Sequence, residues 1–341
     1  MKPLVSILIP AFNAEQWISD TIRSALAQTW SPKEVVVVDD GSTDRTLAIA
    51  KTFESPFVRV FTQVNQGAAA ARNRAFSESC GDYIQWLDAD DLLAVDKIER
   101  QLAALGADAQ PGILLSSRWG QFIYRNQVAR FTPTTLWCDL SPAEFMIRKL
   151  NDCVFMQTAV WLVSRQLSIS AGPWNTTMLS DDDGEYFCRV VLASEEIRFV
   201  PEATVFYRNT GSSSLSSVGS NDRKLEALWE SKCLHIKYLL SLEDSERTRS
   251  ASLKYMGRYL IYFYPYRPDI IEKMRKVARC LGGELERPRM PRKYEWLRLL
   301  AGWNIAKRCQ SLLSRLKWVL FRSWDKAMYR VETVRSRRVS A

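Results

Sequence analysis

At 341 residues, with 47% hydrophobic and 25% charged side chains, the chain can bury a large core, which excludes disorder, collagen-like repeats and low complexity. A single histidine, His235, excludes metal sites built on several imidazoles and argues against Ser-His-Asp chemistry; seven cysteines without a C-x-x-C pair argue against a zinc ribbon or disulfide scaffold and read as reduced, cytosolic thiols. The formal charge of +9 is uneven: residues 286–341 hold 15 Lys and Arg against 4 Asp and Glu, so the rest is near neutral.

In chain order, Val5–Pro10 (VSILIP) predicts a strand buried on both faces and Glu15–Gln28 a helix, with Trp17, Ile18, Ile22, Ala25 and Leu26 at helical spacing. Glu34–Val38 is a β-branched strand, and Ser42–Phe53 a helix opened by Ser42 as cap, with Asp44 at its positive end. Val58–Thr62 predicts a strand, Ala68–Ser79 a helix and Tyr83–Leu87 a strand. This alternation predicts β-α-β units and a parallel sheet. Beyond it, Ile113–Ser117, Gln121–Tyr124 and Thr158–Val163 read as strands, Pro142–Leu150 and Ser180–Leu192 as helices, and Ile197–Tyr207 as a last strand. After a Ser-rich turn at 210–220 the pattern is helical, which divides the chain into 1–220, a helical extension 221–286 and a basic tail 287–341. No run reaches the length of about 20 apolar residues needed to cross a bilayer, and MKPLVSILIP has no signal-peptide pattern, so neither spanning nor export is expected.

Ligands of a doubly wound sheet sit outside the carboxyl ends of its strands. Those ends carry Pro10-Ala11-Phe12-Asn13, Asp39-Asp40-Gly41, Asn65-Gln66-Gly67 with Arg72-Asn73 beyond, and Asp88-Ala89-Asp90-Asp91. Asp39 and Asp40 stand where a nucleotide base or ribose would be read by hydrogen bonds, and equally where a helix begins. Asp88 and Asp90, one residue apart after a buried strand, suit a hard divalent cation that takes one or two carboxylates and completes its shell with phosphate oxygens.

VSILIPAFNAE, VVVVDDGSTDRT, NQGAAAARNRA and GDYIQWLDADD, in this order, resemble family 2 of the nucleotide-sugar-dependent glycosyltransferases over roughly residues 3–215. The resemblance implies the GT-A fold, an α/β architecture in which a Rossmann-like mixed sheet, flanked by helices, joins nucleotide and acceptor halves continuously; here a helical C-terminal extension follows. It also implies site roles. Pro10 would back the base, with Asn13 in the same loop; Asp40 would accept from the base, with Asp39 beside it; Arg72 would contact the nucleotide. Asp88 would lie near the ribose or the metal, and Asp90 would hold Mg2+ or Mn2+ on the diphosphate. Gly172-Pro173-Trp174-Asn175 and Asp182-Asp183-Gly184-Glu185 resemble the segment around the catalytic acid, with Asp183 as general base and Asp182 replacing a usual Glu. That departure leaves the base open within Asp181–Asp183. Thr210 stands where the family often has a His, so Arg208 or Ser212–Ser214 would substitute for it.

The implied activity is inverting transfer of a monosaccharide from a UDP-sugar to a glycan or lipid-linked acceptor. A nucleotide-sugar-forming nucleotidyltransferase is the alternative, but PAFNAE lacks its Gly-rich loop; a non-catalytic sugar- or nucleotide-binding protein is another, although the acidic set is intact. His235 reads as a packing or surface residue; Trp174 is either part of the acceptor pocket or core. In the tail, Trp296, Leu299, Leu300 and Trp303, then Leu312, Leu313, Leu316, Val319 and Leu320, keep helical spacing among Lys and Arg. Residues 295–330 thus suit peripheral contact with an anionic membrane on its cytoplasmic face, or a helix packed on the domain with a solvated basic face. Charge alone would allow nucleic-acid binding, but no motif for it is present, and none is expected.

Overall fold

The computed structural model describes residues 2–106, 110–211, 221–286, 288 and 290–339. Its first half repeats strand and helix: β1 Val5–Ala11, α1 Ile18–Leu26, β2 Lys33–Asp39, α2 Thr46–Lys51, β3 Val58–Thr62, α3 Ala68–Ser77 and β4 Tyr83–Trp86. Every residue of β1 is buried, as a strand covered by helices on both faces requires. β5 Leu92–Leu93, α4 Lys97–Ala103, β6 Ile113–Phe122, β7 Arg130–Phe131, α5 Pro142–Asp152, β8 Val163–Ser164, α6 Arg165–Ala171, α7 Asp182–Ala193 and β9 Glu196–Arg208 complete the α/β body. Four helices follow: α8 Asp222–Leu242, α9 Glu246–Phe263, α10 Pro268–Cys280 and α11 Arg292–Val339.

The strands form two sheets rather than the single continuous one expected. One has the order β3-β2-β1-β4-β8, parallel except at β8; the other has the order β5-β9-β6-β7, with β9 and β6 parallel. A lone bridge between Leu115 and Leu162 joins them. Ile113–Ser117 and Gln121–Phe122 belong to one strand, which absorbs a register shift between Ser117 and Arg118, while Ile123 and Tyr124 lie past its end. Thr158–Val163 is largely not a strand. Thr158–Val160 is a 3-10 turn, because its core-facing β-branched side chains are buried without ladder partners, and only Val163 enters β8.

Ser42 does not cap a helix. α2 starts later, at Thr46, and the Ser42 hydroxyl instead accepts from the Asn13 amide at 2.9 Å. One hydrophobic cluster runs from β1 through Leu225, Tyr255 and Leu281, so α8–α10 share the core of the body. The boundary near residue 220 lies outside the described residues. α11 contains a break at Gly302 (φ 79°, ψ 173°), and its start packs in a separate small cluster of Met290, Tyr294 and Ala306.

Candidate active site

Because β2, β1 and β4 are neighbours and parallel, Asp39–Asp40, Pro10–Asn13 and Asp88–Asp90 emerge along one edge of the sheet. Pro10 is buried in register with Val38. Asn13 has a left-handed backbone (φ 48°), and its side-chain oxygen accepts from the Thr43 amide at 2.9 Å, tying the loops after β1 and β2 together. Asp40 is buried and turned into the body. Its carboxylate accepts from Gln63 Nε2 (2.7 Å) and from the amides of Gln66 (3.0 Å) and Gly67 (2.8 Å). These amides precede α3, so Asp40 satisfies donors at a helix start. Asp39 differs: Oδ2 accepts from the Ser42 amide and Thr62 Oγ1, each at 3.2 Å, while Oδ1 is buried without a partner. Of the two carboxylates, Asp39 is the one with an oxygen left without a partner.

α3 supplies the clasp across the site. Arg72 donates to Asp88 Oδ1 and to Asp182 Oδ2, both at 2.8 Å, and lies 4.4 Å over the Trp174 ring. Asn73 exchanges two hydrogen bonds with the backbone of Trp174, at 2.8 and 2.9 Å. The two residues hold the loop before α7 against the end of β4. The terminal nitrogens of Arg72 are thus committed to carboxylates. Trp174 is core, stacked on Tyr186 at 4.0 Å.

The three acids at the start of α7 have three different environments. Asp181, in a left-handed conformation (φ 60°), accepts from the Ser231 hydroxyl and from Lys232 Nζ at 2.5 Å. Although burial opposes it, Lys232 and then His235 hold its carboxyl well below the usual range. Asp182 pairs with Arg72. Asp183 accepts from the Gly184 amide at 2.8 Å, and burial followed by repulsion from Asp182 and Asp181 pushes its carboxyl up to about 7. A carboxyl near 7 is matched to proton transfer at neutral pH. His235 is buried, its Nδ1 2.7 Å from the Tyr255 hydroxyl, and burial lowers it to about 3. It packs α8 and takes no place at the rim.

Asp90 is raised to about 7, by burial and then by Asp88, with Arg208 opposing. Arg208 cannot serve as a mobile substitute for the missing imidazole. Its Nε donates to the Asp90 carbonyl (2.7 Å) and its Nη1 to the Ile123 carbonyl (2.8 Å), and its own amide donates to Asp91 Oδ1 (2.7 Å). Ser212–Ser214 lie outside the described residues. Among the described residues no three His, Cys, Asp or Glu side chains are grouped to hold a metal alone. Mg2+ or Mn2+ shared with a diphosphate needs only one or two carboxylates, and a buried carboxyl short of positive charge at Asp90, beside Asp88, fits that demand.

Trp119 of β6, Tyr207 of β9 and Phe155, in the segment after α5, form an aromatic group that the sequence pattern did not single out. Trp119, Phe155 and Tyr207 have ring centroids 5.6–5.9 Å apart. Phe155 is 46% exposed, and the Trp119 Nε1 is buried without a partner. Burial, then Asp91, Asp90, Asp88 and Asp183 in turn, raise the Tyr207 phenol. Only the pairing of β6 with β9 brings Trp119 beside Tyr207.

Residues 6–158 match glycosyl transferase family 2. Over that segment, which is under half of its length, the chain is similar to family 2 glycosyltransferases. An uncharacterized glycosyltransferase of Haemophilus influenzae is 45% identical over 103 residues, and TuaG of Bacillus subtilis, named for teichuronic acid biosynthesis, is 43% identical over 104 residues. Each match spans 41% of the relative's length and 29–30% of this chain. TarS 1-349 of S. aureus, solved in complex with UDP-GlcNAc, shares the fold with a TM-score of 0.62 at 18% identity, over 79% of this chain and 74% of that one. The shared fold therefore extends beyond the segment in which sequence similarity is strong.

Proposed function

We propose that the chain is an inverting glycosyltransferase that moves a monosaccharide from a UDP-sugar to a hydroxyl of a glycan or lipid-linked acceptor. The observation that carries this reading is the division of labour at α7: Asp181 is held by Lys232 and Asp182 by Arg72, which leaves Asp183 as the carboxylate without a cationic side-chain partner, its carboxyl near 7. The family match and the UDP-GlcNAc complex of a structural neighbour support the choice of donor.

In this reading Asp39 reads the base or ribose, with Pro10 behind it, while Asp40 and Asn13 fix the loops around the nucleotide. Asp88 and Asp90 hold Mg2+ or Mn2+. Bound there, the cation would neutralise charge developing on the leaving diphosphate, a contribution of several kcal/mol. Arg72 acts as a positioning residue between Asp88 and Asp182. Asp183 takes the proton of the acceptor hydroxyl as that oxygen attacks the anomeric carbon from the face opposite the diphosphate, which inverts the configuration. The acceptor sugar packs on Phe155 beside Tyr207. The domain works at the cytoplasmic side of a membrane, in peripheral contact through residues 295–330.

Release of nucleotide from a panel of nucleotide sugars, measured with Mg2+ and with Mn2+, tests the reading. Asp183→Asn is expected to lower turnover by about 10²–10⁴-fold while UDP binding stays intact. Undiminished turnover in that variant would remove the assignment.

A further inference from the structure

Beyond Gly302, α11 has two opposed faces. Trp318, Asp325 and Glu332 recur every seven residues, so they share one stripe, and this stripe docks on the body. Trp318 Nε1 donates to Asn209 Oδ1 at 3.1 Å, and its ring lies so close to Gly211 that a side chain there would collide with it. Asp325, although in a basic segment, is buried. It accepts from the Tyr124 amide (2.9 Å) and Arg125 Nε (2.8 Å), and Glu332 accepts from Arg125 Nη1 (2.7 Å).

At about 100° per residue, Leu313, Leu316 and Leu320 fall on the opposite face, while Trp324 lies at its edge with the Arg125 guanidinium 5.2 Å from its ring. A helix lying on a water-soluble domain turns its polar face outward. Here the outward face is apolar, with Leu313 46%, Leu316 60% and Leu320 70% exposed. Arg315, Lys326 and Arg330 lie on one side of it and Lys317 on the other, while Arg322 folds over the Trp318 ring on the docked side. Before the break, Trp296, Leu299 and Leu300 are exposed as well. No described helix is long and apolar enough to cross a bilayer. An apolar stripe edged by cations matches the boundary between headgroups and acyl chains of an anionic leaflet.

The docked stripe lies one ring stack from the acidic loop. Tyr124 packs on Trp17 at 5.4 Å; the Arg208 guanidinium lies 4.2 Å over Trp17 and donates to the Asp90 carbonyl. We infer that α11 lies in the plane of an anionic membrane surface and that the Asp325–Arg125 latch transmits this contact to the loop carrying Asp90. The second half rests on the glycosyltransferase reading; the first does not.

The full chain is sedimented with phosphatidylglycerol–phosphatidylcholine vesicles and with phosphatidylcholine vesicles, and its mass is measured without lipid. Binding to the anionic vesicles is expected, falling at least tenfold in Leu316→Glu/Leu320→Glu while UDP binding is unchanged. Equal binding of wild type and variant overturns the surface assignment. So does self-association through this face, seen as a wild-type oligomer that becomes monomeric in the variant with no vesicle binding by either. For the latch, anionic vesicles are expected to raise nucleotide release several-fold, and Asp325→Ala to keep vesicle binding but lose that rise. A rise that persists in Asp325→Ala overturns the latch. Vesicle binding by a chain that turns over no nucleotide sugar, with or without vesicles, overturns the latch and the glycosyltransferase reading and leaves the membrane surface standing.

Discussion

Asp183 and Arg72 show how single side chains set the chemistry of the rim. The Asp183 carboxyl, raised to about 7, takes up a proton as the pH falls, so turnover should drop about tenfold per pH unit below neutrality. Its effect on stability has the opposite slope. The folded state keeps this proton to about pH 7, while the unfolded chain loses it near the ordinary carboxylate value of 3.8, so the folded state binds more protons in between. Stability of the ligand-free protein therefore falls as pH rises from ~4 to ~7, and Asp183→Asn should flatten that fall in thermal melts at stepped pH. Arg72 makes two bonds with one planar group, which a lysine cannot reproduce. Arg72→Lys should lower turnover by roughly 10²-fold through misplacement of Asp88 and Asp182, with UDP affinity changed little. On the acceptor side, burying roughly 50 Å² of a sugar's apolar face on Phe155 at about 25 cal/mol/Å² is worth ~1.3 kcal/mol. Phe155→Ala should raise the acceptor KM about tenfold and leave the donor KM unchanged.

At the level of elements, α7 is fixed at its start by α8, through Asp181 and Lys232, and along its length by Glu185, which accepts from Arg189 and from the Tyr238 hydroxyl at 2.7 Å. Lys232→Met should cost about 3 kcal/mol in urea unfolding, because it strands a carboxylate that is partly buried, and Asp181→Asn in the same chain should restore part of the loss. β1 to β4 were legible in the sequence because strands covered on both faces are continuous apolar runs, bounded by polar strand ends. The start of α2 was not, since Ser42 looks like a helix cap whenever the loop that uses its hydroxyl is unseen. Asp39 and Asp40 could not be told apart for a similar reason: which of them stays open depends on the amides of Gln66 and Gly67, more than 20 positions away. The aromatic wall was hidden because its members come from separate segments of the chain.

Across the whole molecule, helices α8–α10 belong to the main core, whereas α11 is held by a narrow stripe, a small cluster of its own and the contacts of Trp303 and Lys307 with the end of α9. A chain ending at Leu285 should therefore still fold cooperatively and bind UDP, with vesicle binding lost; unfolding of that chain by circular dichroism would contradict this picture. The clasp formed by Arg72 and Asn73 also bears on how such enzymes can be recombined. Their partners, Trp174 and Asp182, lie about 100 positions downstream, past the region matched by the family. A hybrid that grafts the nucleotide-binding segment of one relative onto the remainder of another would bring together two halves of a lock cut from different keys, and it should stay inactive until the residue opposite Arg72 is exchanged along with the graft.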